Sequence, residues 1–301
     1  MKEHLAELEG PRSSRVYTLA EAEAYCADLA RRHYENFTVA SGLLPRRLRK
    51  HFFAVYSFCR WADDLGDELG DRQRSLDALA WWREELDACY ADAPRHPVFV
   101  ALRETTRQFE IPRRPFDDLI DAFTQDQTVS RYETFEQVKD YCVRSANPVG
   151  RLVLYLCGYR DERRQELSDY TCTALQLANF WQDVRRDLDI DRVYLPREDM
   201  ERFGYSYDDL FARRCTPPFK ELMRFEVDRT RDLFREGLPL IPLLDGSIRL
   251  DIQLFSRGGM AILDKIVKQD YDVLTKRPAL SRSEKIGLTS FWLLRRLLRR
   301  W

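Results

Sequence analysis

The chain holds 301 residues, 44% of them hydrophobic and 33% charged, with 49 Lys and Arg against 50 Asp and Glu. That length and apolar content can bury a large core, which excludes disorder and a disulfide-stapled miniprotein. A formal net charge of -1 removes the general electrostatic case for nucleic acid, which needs a basic surplus facing the phosphates.

The N-terminus, Met1 to Arg15, has no apolar run and so does not read as a signal peptide. Apolar residues at three- and four-residue spacing then predict helices over 19–34, 48–68, 76–90, 98–109, 116–128, 135–156, 163–189, 218–238, 250–274 and 283–301. Turn residues separate them at Ser41-Gly42, Leu44-Pro45, Ala93-Pro94, Ile111-Pro112, Pro217-Pro218, Leu238-Pro239 and Arg277-Pro278. Inside 135–156, Asn147-Pro148 predicts a kink, and Gly150 allows close packing. Strand-like alternation is nearly absent. With no composition shift to mark a boundary, the chain reads as a single all-α domain over 1–301, its core at about 15–290.

The longest uncharged stretch, Tyr170 to Gln182, is thirteen residues, short of the ~18 that a membrane span requires. The final segment, 283–301, mixes two arginine pairs with Leu, Phe and Trp. It reads either as a basic amphipathic helix lying on an anionic membrane or as a last helix packed on the core. His4, His33, His51 and His96 have no metal-ligand spacing, and the seven cysteines contain no Cys-x-x-Cys. The thiols read as core residues of a reducing compartment, which sets the expectation of a cytoplasmic protein with a peripheral contact at the inner face of the membrane.

Acidic residues carry the chemistry. Asp63 and Asp67 lie four residues apart on one helix face, and Asp183 and Asp187 repeat the spacing. The spacing itself recurs at 67/71, 117/121, 187/191 and 228/232, where a solvated helix face explains it. The two chosen pairs differ because Asp63 follows the apolar run 52–59 and Asp183 follows the uncharged run 170–182. A carboxylate entering a buried region is costly unless it is paired or holds a cation. Two facing pairs would form a cage of hard oxygen ligands suited to Mg²⁺, which takes a few carboxylates together with phosphate oxygens and waters. Phe52, Tyr56, Arg60 and Asp63 share one stripe, as do Gln176, Asn179, Asp183 and Asp187. A charged mouth over an aromatic interior suits an amphiphile with a diphosphate head, and it suits carbocation chemistry.

In these residues the chain resembles the squalene/phytoene synthase family of head-to-head isoprenoid synthases. The matches are Leu43-Leu44-Pro45, Tyr56, Cys59-Arg60 with Asp63, Asp64 and Asp67, Tyr141-Cys142, Val149-Gly150, Gln176 with Asn179, Asp183 and Asp187, Arg192-x-Tyr194-x-Pro196, and Ile262-Leu263-Asp264. They run in order over about 30–285. The resemblance implies an all-α class I isoprenoid synthase fold with the acid motifs on opposite walls of a central cavity. Asp63, Asp67, Asp183 and Asp187 would hold two or three Mg²⁺ ions on the diphosphate, with Asn179 assisting. Arg60 and Arg192 would pair with phosphate oxygens, and Tyr56, Gln176 and Asn36 would contact substrate. Tyr141 would stand beside the reacting carbon. From the residues alone, Tyr141 also reads as core, Arg60 as a structural partner of Asp64, and Tyr194 as a wall residue.

Three positions depart from the common family pattern. Tyr34-Glu35-Asn36-Phe37 stands where many members have Ser-x-Ser-Phe, Gln182-Asp183 where many have Arg-Asp, and Gly259 where many have tyrosine. Fewer phosphate-contacting groups imply a site tuned to one prenyl diphosphate. Asn36-Phe37, Ser145 to Gly150 and Asn179 to Asp183 are similar to one bacterial branch, the hydroxysqualene synthases of hopanoid biosynthesis. That branch converts presqualene diphosphate to hydroxysqualene without NADPH, between a presqualene diphosphate synthase and a hydroxysqualene reductase. The rival readings are condensation of two farnesyl diphosphates to presqualene diphosphate or squalene, and a non-catalytic scaffold, against which both complete acid motifs argue.

Overall fold

The computed structural model describes residues 16–32, 46–281 and 283–284. Asn36, the Leu43-Leu44-Pro45 motif and all but the first two residues of the 283–301 segment lie outside the described residues. Described helices, in chain order, are α1 (Leu19–Arg32), α2 (Arg46–Asp67), α3 (Arg72–Tyr90), α4 (Pro97–Phe109), α5 (Arg114–Gln125), α6 (Phe135–Ser145), α7 (Asn147–Leu156) and α8 (Glu162–Asp189). They continue with α9 (Arg197–Arg202), α10 (Tyr207–Phe211), α11 (Pro217–Gly237), a 3₁₀ turn (Leu238–Leu243) and α12 (Gly246–Lys268). Among the described residues there is no strand, so the all-α reading holds. No described helix is long and apolar enough to cross a membrane.

Local chemistry sets the boundaries. Asp71 starts α3 by accepting the Arg74 N–H at 2.8 Å, and Thr134 with Gln137 forms a capping box on α6. Thr216 caps α11 ahead of the Pro217-Pro218 pair, whose fixed φ suits a first turn. The single helix expected over 135–156 is two. The chain breaks at Ala146 because Pro148 cannot donate into a continuing ladder, and Asn147 Oδ1 instead accepts the Thr173 hydroxyl at 2.9 Å. The short helices α9 and α10 escaped the periodicity reading, which needs more than one or two turns to register.

The fold groups into two compact units, one built from residues up to Val129 with Pro148–Asp161, the other from Ser130–Asn147 with residues from Glu162 onward. In the first unit, α2 turns Phe58 and Trp61 into a ring cluster: Trp61 stacks on Trp82 at 5.3 Å, and Phe58 meets Phe116 edge-on at 4.9 Å. These side chains are fully buried, and each offers roughly 1.5–3 kcal/mol of apolar transfer energy. They fix the rotation of α2 and therefore the side on which its acids emerge.

In the second unit, α8 is the central element, packed against α11 and α12. Trp181 donates its indole N–H to the Thr230 hydroxyl at 2.8 Å, fixing α8 on α11. Gly259 lets α12 approach closely, since a Cβ there would sit 2.4 Å from Phe234 and 2.9 Å from Leu175. A tyrosine at this position has no room on this backbone.

Candidate active site

In the first unit, α2 carries Tyr56, Arg60, Asp63 and Asp67. The sequence led us to expect both members of the first acid pair in a buried region, and the structure corrects this. Asp67 is exposed and the Asp63 side chain is 43% exposed, while Asp64 is the buried acid at 1%. Asp64 lies on the core side of α2 with Trp61 and Leu65, so it is the acid that requires a partner. Arg60 supplies it: Nε donates to Asp64 Oδ2 at 3.0 Å, a second nitrogen bonds Oδ1, and Nη1 lies 3.1 Å from Asp63 Oδ2. Arg60 therefore has the structural role, and its remaining reach is toward Asp63. Burial, reinforced by Asp67, Asp64 and Glu68, pushes Asp63 up to about 6 against the pull of Arg60. Burial, with the Asp64 and Asp63 charges, pushes the half-buried Tyr56 phenol up to about 12, so it stays a neutral donor.

In the second unit, α8 presents Gln176, Asn179, Asp183 and Asp187. Asn179 donates to Asp183 Oδ2 at 2.8 Å. Burial and the neighbouring Asp183 charge push Asp187 up to about 7, while Arg192, Arg186 and Arg277 pull the other way. The chain reverses after α8 so that the Arg192 N–H returns to the Asp187 carbonyl at 2.8 Å. Asp187 and Arg192 thereby line a small cavity with Phe180 and Tyr194.

Arg277 is the residue that sequence reasoning missed. Its Nη2 donates to Asp183 Oδ2 at 2.9 Å and its Nε bonds Oδ1, a bidentate pair. Three side chains hold the Arg277 backbone in place: Gln182 donates to Pro278 O at 2.6 Å, Arg185 to Thr275 O at 2.6 Å, and Gln269 to Lys276 O at 2.9 Å. Gln182 thus anchors the segment that delivers this guanidinium. The sequence signal was faint: a residue before proline favours extended backbone, but nothing in Arg277-Pro278 names its target.

Aromatic rings stand beside this second acid pair. Tyr194 stacks on Phe180 at 3.7 Å and on Tyr132 at 5.7 Å, and Tyr141, 5% exposed, lies within 5.9–6.1 Å of all three. Main-chain hydrogen bonds from Val193 to Ser130 and from Arg197 to Tyr132 hold the cluster together. Tyr141 and Tyr194 are wall residues of one aromatic surface, to which Tyr132 and Phe180 are additions.

No group of three or more His, Cys, Asp or Glu among the described residues is gathered so as to hold a metal ion. Each acid pair supplies hard oxygens alone, a donor set of the kind Mg²⁺ completes with phosphate oxygens and water.

A helix-only fold carrying an Asp-x-x-x-Asp pair in each unit is the pattern of an isoprenoid synthase, and comparison makes the class definite. The squalene/phytoene synthase family model matches residues 30–284, and the chain belongs to that family, whose members are head-to-head prenyl transferases. Among solved structures, squalene synthase HpnC from Alicyclobacillus acidocaldarius is 45% identical, with a TM-score of 0.81, covering 84% of this chain and 96% of that one. A dehydrosqualene synthase solved with a ligand is 26% identical, with a TM-score of 0.82 over 94% and 98% of the two chains. The 15-cis-phytoene synthase of Synechococcus elongatus is 30% identical over 277 residues, covering 88% of this chain and 90% of the relative. The family uses a divalent metal with diphosphate substrates.

Proposed function

We propose that the protein converts presqualene diphosphate and water to hydroxysqualene and diphosphate. The observation that carries this reading is the polar complement at the second acid pair: Gln182 is spent on Pro278 O, one guanidinium, Arg277, forms a bidentate pair with Asp183, and position 259 has no room for a side chain, in line with the departures from the family pattern expected at Gln182 and Gly259. That leaves a complement suited to one diphosphate rather than two. The 45% identity to a squalene synthase, against 30% to a phytoene synthase, supports the same direction.

In this reading Asp63, Asp67, Asp183 and Asp187, with Asn179, hold Mg²⁺. Bound there, the metal would supply electrophilic pull on the leaving diphosphate. The chain's own residues do the rest. Arg192 and Arg277 offer fork-shaped donors to phosphate oxygens. Tyr132, Tyr141, Phe180 and Tyr194 present aromatic surface to the cyclopropylcarbinyl cation and exclude bulk water while a single water captures it. Tyr56, Gln176 and Asn36 are further substrate contacts. The expected partners are a prenyl diphosphate, the enzymes that make and reduce these intermediates, and an anionic membrane surface.

The test is incubation of purified protein and Mg²⁺ with presqualene diphosphate or farnesyl diphosphate, with and without NADPH, and identification of products by mass spectrometry. Hydroxysqualene from presqualene diphosphate without NADPH is the expected result. Turnover of farnesyl diphosphate alone would assign the condensation to presqualene diphosphate or squalene instead, and inertness to both would leave a scaffold.

A further inference from the structure

An arginine with no acidic partner among the described residues lines a cavity in the first unit that shares no residue with the candidate site. Cys89, Tyr90, Asp92, Arg103, Thr106 and Arg107 surround about 130 Å³ of space between the end of α3 and the outer face of α4. One ordered water needs only about 10–15 Å³ by such a measure, so the cavity has room for a polyatomic ion. Arg103 and Arg107 are four residues apart and share a helix face.

Their states differ. Arg107 is paired with Asp92, whose left-handed backbone (φ 64) turns the chain after α3. Arg103 Nε is buried with no hydrogen-bond partner among the described residues, and its guanidinium makes no ion pair there. The other polar groups are committed: Tyr90 donates to Ile111 O at 3.1 Å, Thr106 to Arg103 O at 3.1 Å, and Cys89 to Phe99 O at 3.5 Å. Burial pushes the Cys89 thiol up to about 12 even with Arg103 nearby, so the floor is uncharged. Asp92 is the one acid among the lining residues and Arg107 offsets it, which leaves the cavity one positive charge in excess. A buried guanidinium nitrogen without an acceptor is costly, and an anion removes that cost.

We propose that this cavity binds a tetrahedral oxyanion of the phosphate class, held by Arg103 and, from the rim, by Arg107. Two guanidinium forks on one helix face match the several acceptor oxygens of such an ion better than the two of a carboxylate. The ion is either free phosphate or the headgroup of an anionic phospholipid, and the chemistry at Arg103 is the same for both.

Calorimetric titration of the metal-free full chain with inorganic phosphate tests this, with a parallel arm using phosphatidylglycerol vesicles in phosphate-free buffer. Arg103→Gln is expected to remove one bound equivalent, or to weaken it about tenfold or more, while Arg103→Lys retains part of the affinity and Arg107→Gln weakens it several-fold. Arg192→Gln, which alters the candidate active site, should leave that equivalent in place, so the result does not depend on the proposed reaction. Vesicle binding lost in Arg103→Gln without affinity for free phosphate would identify the headgroup as the ligand. Circular dichroism melts confirm that each variant is folded. Unchanged binding of both probes by folded Arg103→Gln and Arg107→Gln, or no binding of either probe by the unaltered chain, would overturn the proposal.

Discussion

Arg277 grips Asp183 with two guanidinium nitrogens across 94 residues of chain, and Gln182, next to that aspartate, holds the backbone that makes the grip possible. The pair is 32% and 15% exposed, enough burial for each charge to need the other.

Arg277→Gln should therefore cost about 1–3 kcal/mol of stability, because it leaves Asp183 facing Asp187 with only Arg186, 3.8 Å away, as counter-charge. In thermal melts of metal-free protein the loss should shrink when Mg²⁺ and diphosphate are added. In kinetics, kcat/KM should fall about tenfold or more, and Arg277→Lys should recover only part, since an ammonium cannot bond both oxygens in plane. An unaltered melt in the metal-free state would remove the structural half of this assignment.

Acids of the two motifs should separate by behaviour. Asp63→Asn is expected to lower turnover by about a thousandfold or more with the melt nearly unchanged, because it removes a ligand charge at a partly solvated position. Asp183→Asn should lower turnover as far and also lower the melting temperature, because it takes from Arg277 its bidentate partner. Asp64→Ala should act in reverse order: it removes the buried partner of Arg60 and leaves that guanidinium only Asp63, so stability drops by about 1–3 kcal/mol and activity falls through misplacement of Arg60. A fully active Asp63→Asn enzyme would refute the ligand assignment.

The pH dependence has a definite sign. Asp63 and Asp187 are raised to about 6 and about 7 from an ordinary 3.8, mainly by burial. The metal-free folded chain thus binds more protons than the unfolded chain over this range. Its extra stability is complete below about 4 and is lost as pH rises through 6 to 7. Mg²⁺ requires the ionised carboxylates, so Mg²⁺ affinity and turnover should rise over the same interval. Melting curves at pH 5, 6, 7 and 8 with and without Mg²⁺ check this, and Asp187→Asn should flatten the upper part of the metal-free slope.

Gly259→Tyr, toward the residue expected from the family pattern, should harm this protein. Even a Cβ would lie 2.4 Å from Phe234, which is buried in the core. Overpacking of this kind costs about 1–3 kcal/mol or more. A lower melting temperature without any gain in diphosphate affinity, read by calorimetry, is expected.

Sequence and structure agree most where the cause is periodic. The apolar spacing in 163–189 marked α8 to within one residue, and the four-residue spacing of its acids put Asp183 and Asp187 on one face. What eluded the sequence depends on contacts distant in the chain. Nothing local distinguishes Asp64 from Asp63 until the packing of Trp61 on Trp82 fixes the rotation of α2. Nothing local explains Gln182, because its side-chain amide donates to the carbonyl of Pro278, far along the chain. The Tyr132 and Phe180 rings are not legible as neighbours, since the turn that joins them is made by main-chain hydrogen bonds at 130 and 193.

The Gln182 latch also ties the second acid pair to a distant stretch of chain. On α8 itself Arg186 comes only to 3.8 Å of Asp183, whereas the bidentate guanidinium on that carboxylate comes from the segment that follows α12. Much of the motif's neutralisation is therefore tertiary, and a change that loosened the chain at Pro278 would be felt as repulsion between two carboxylates it never touches.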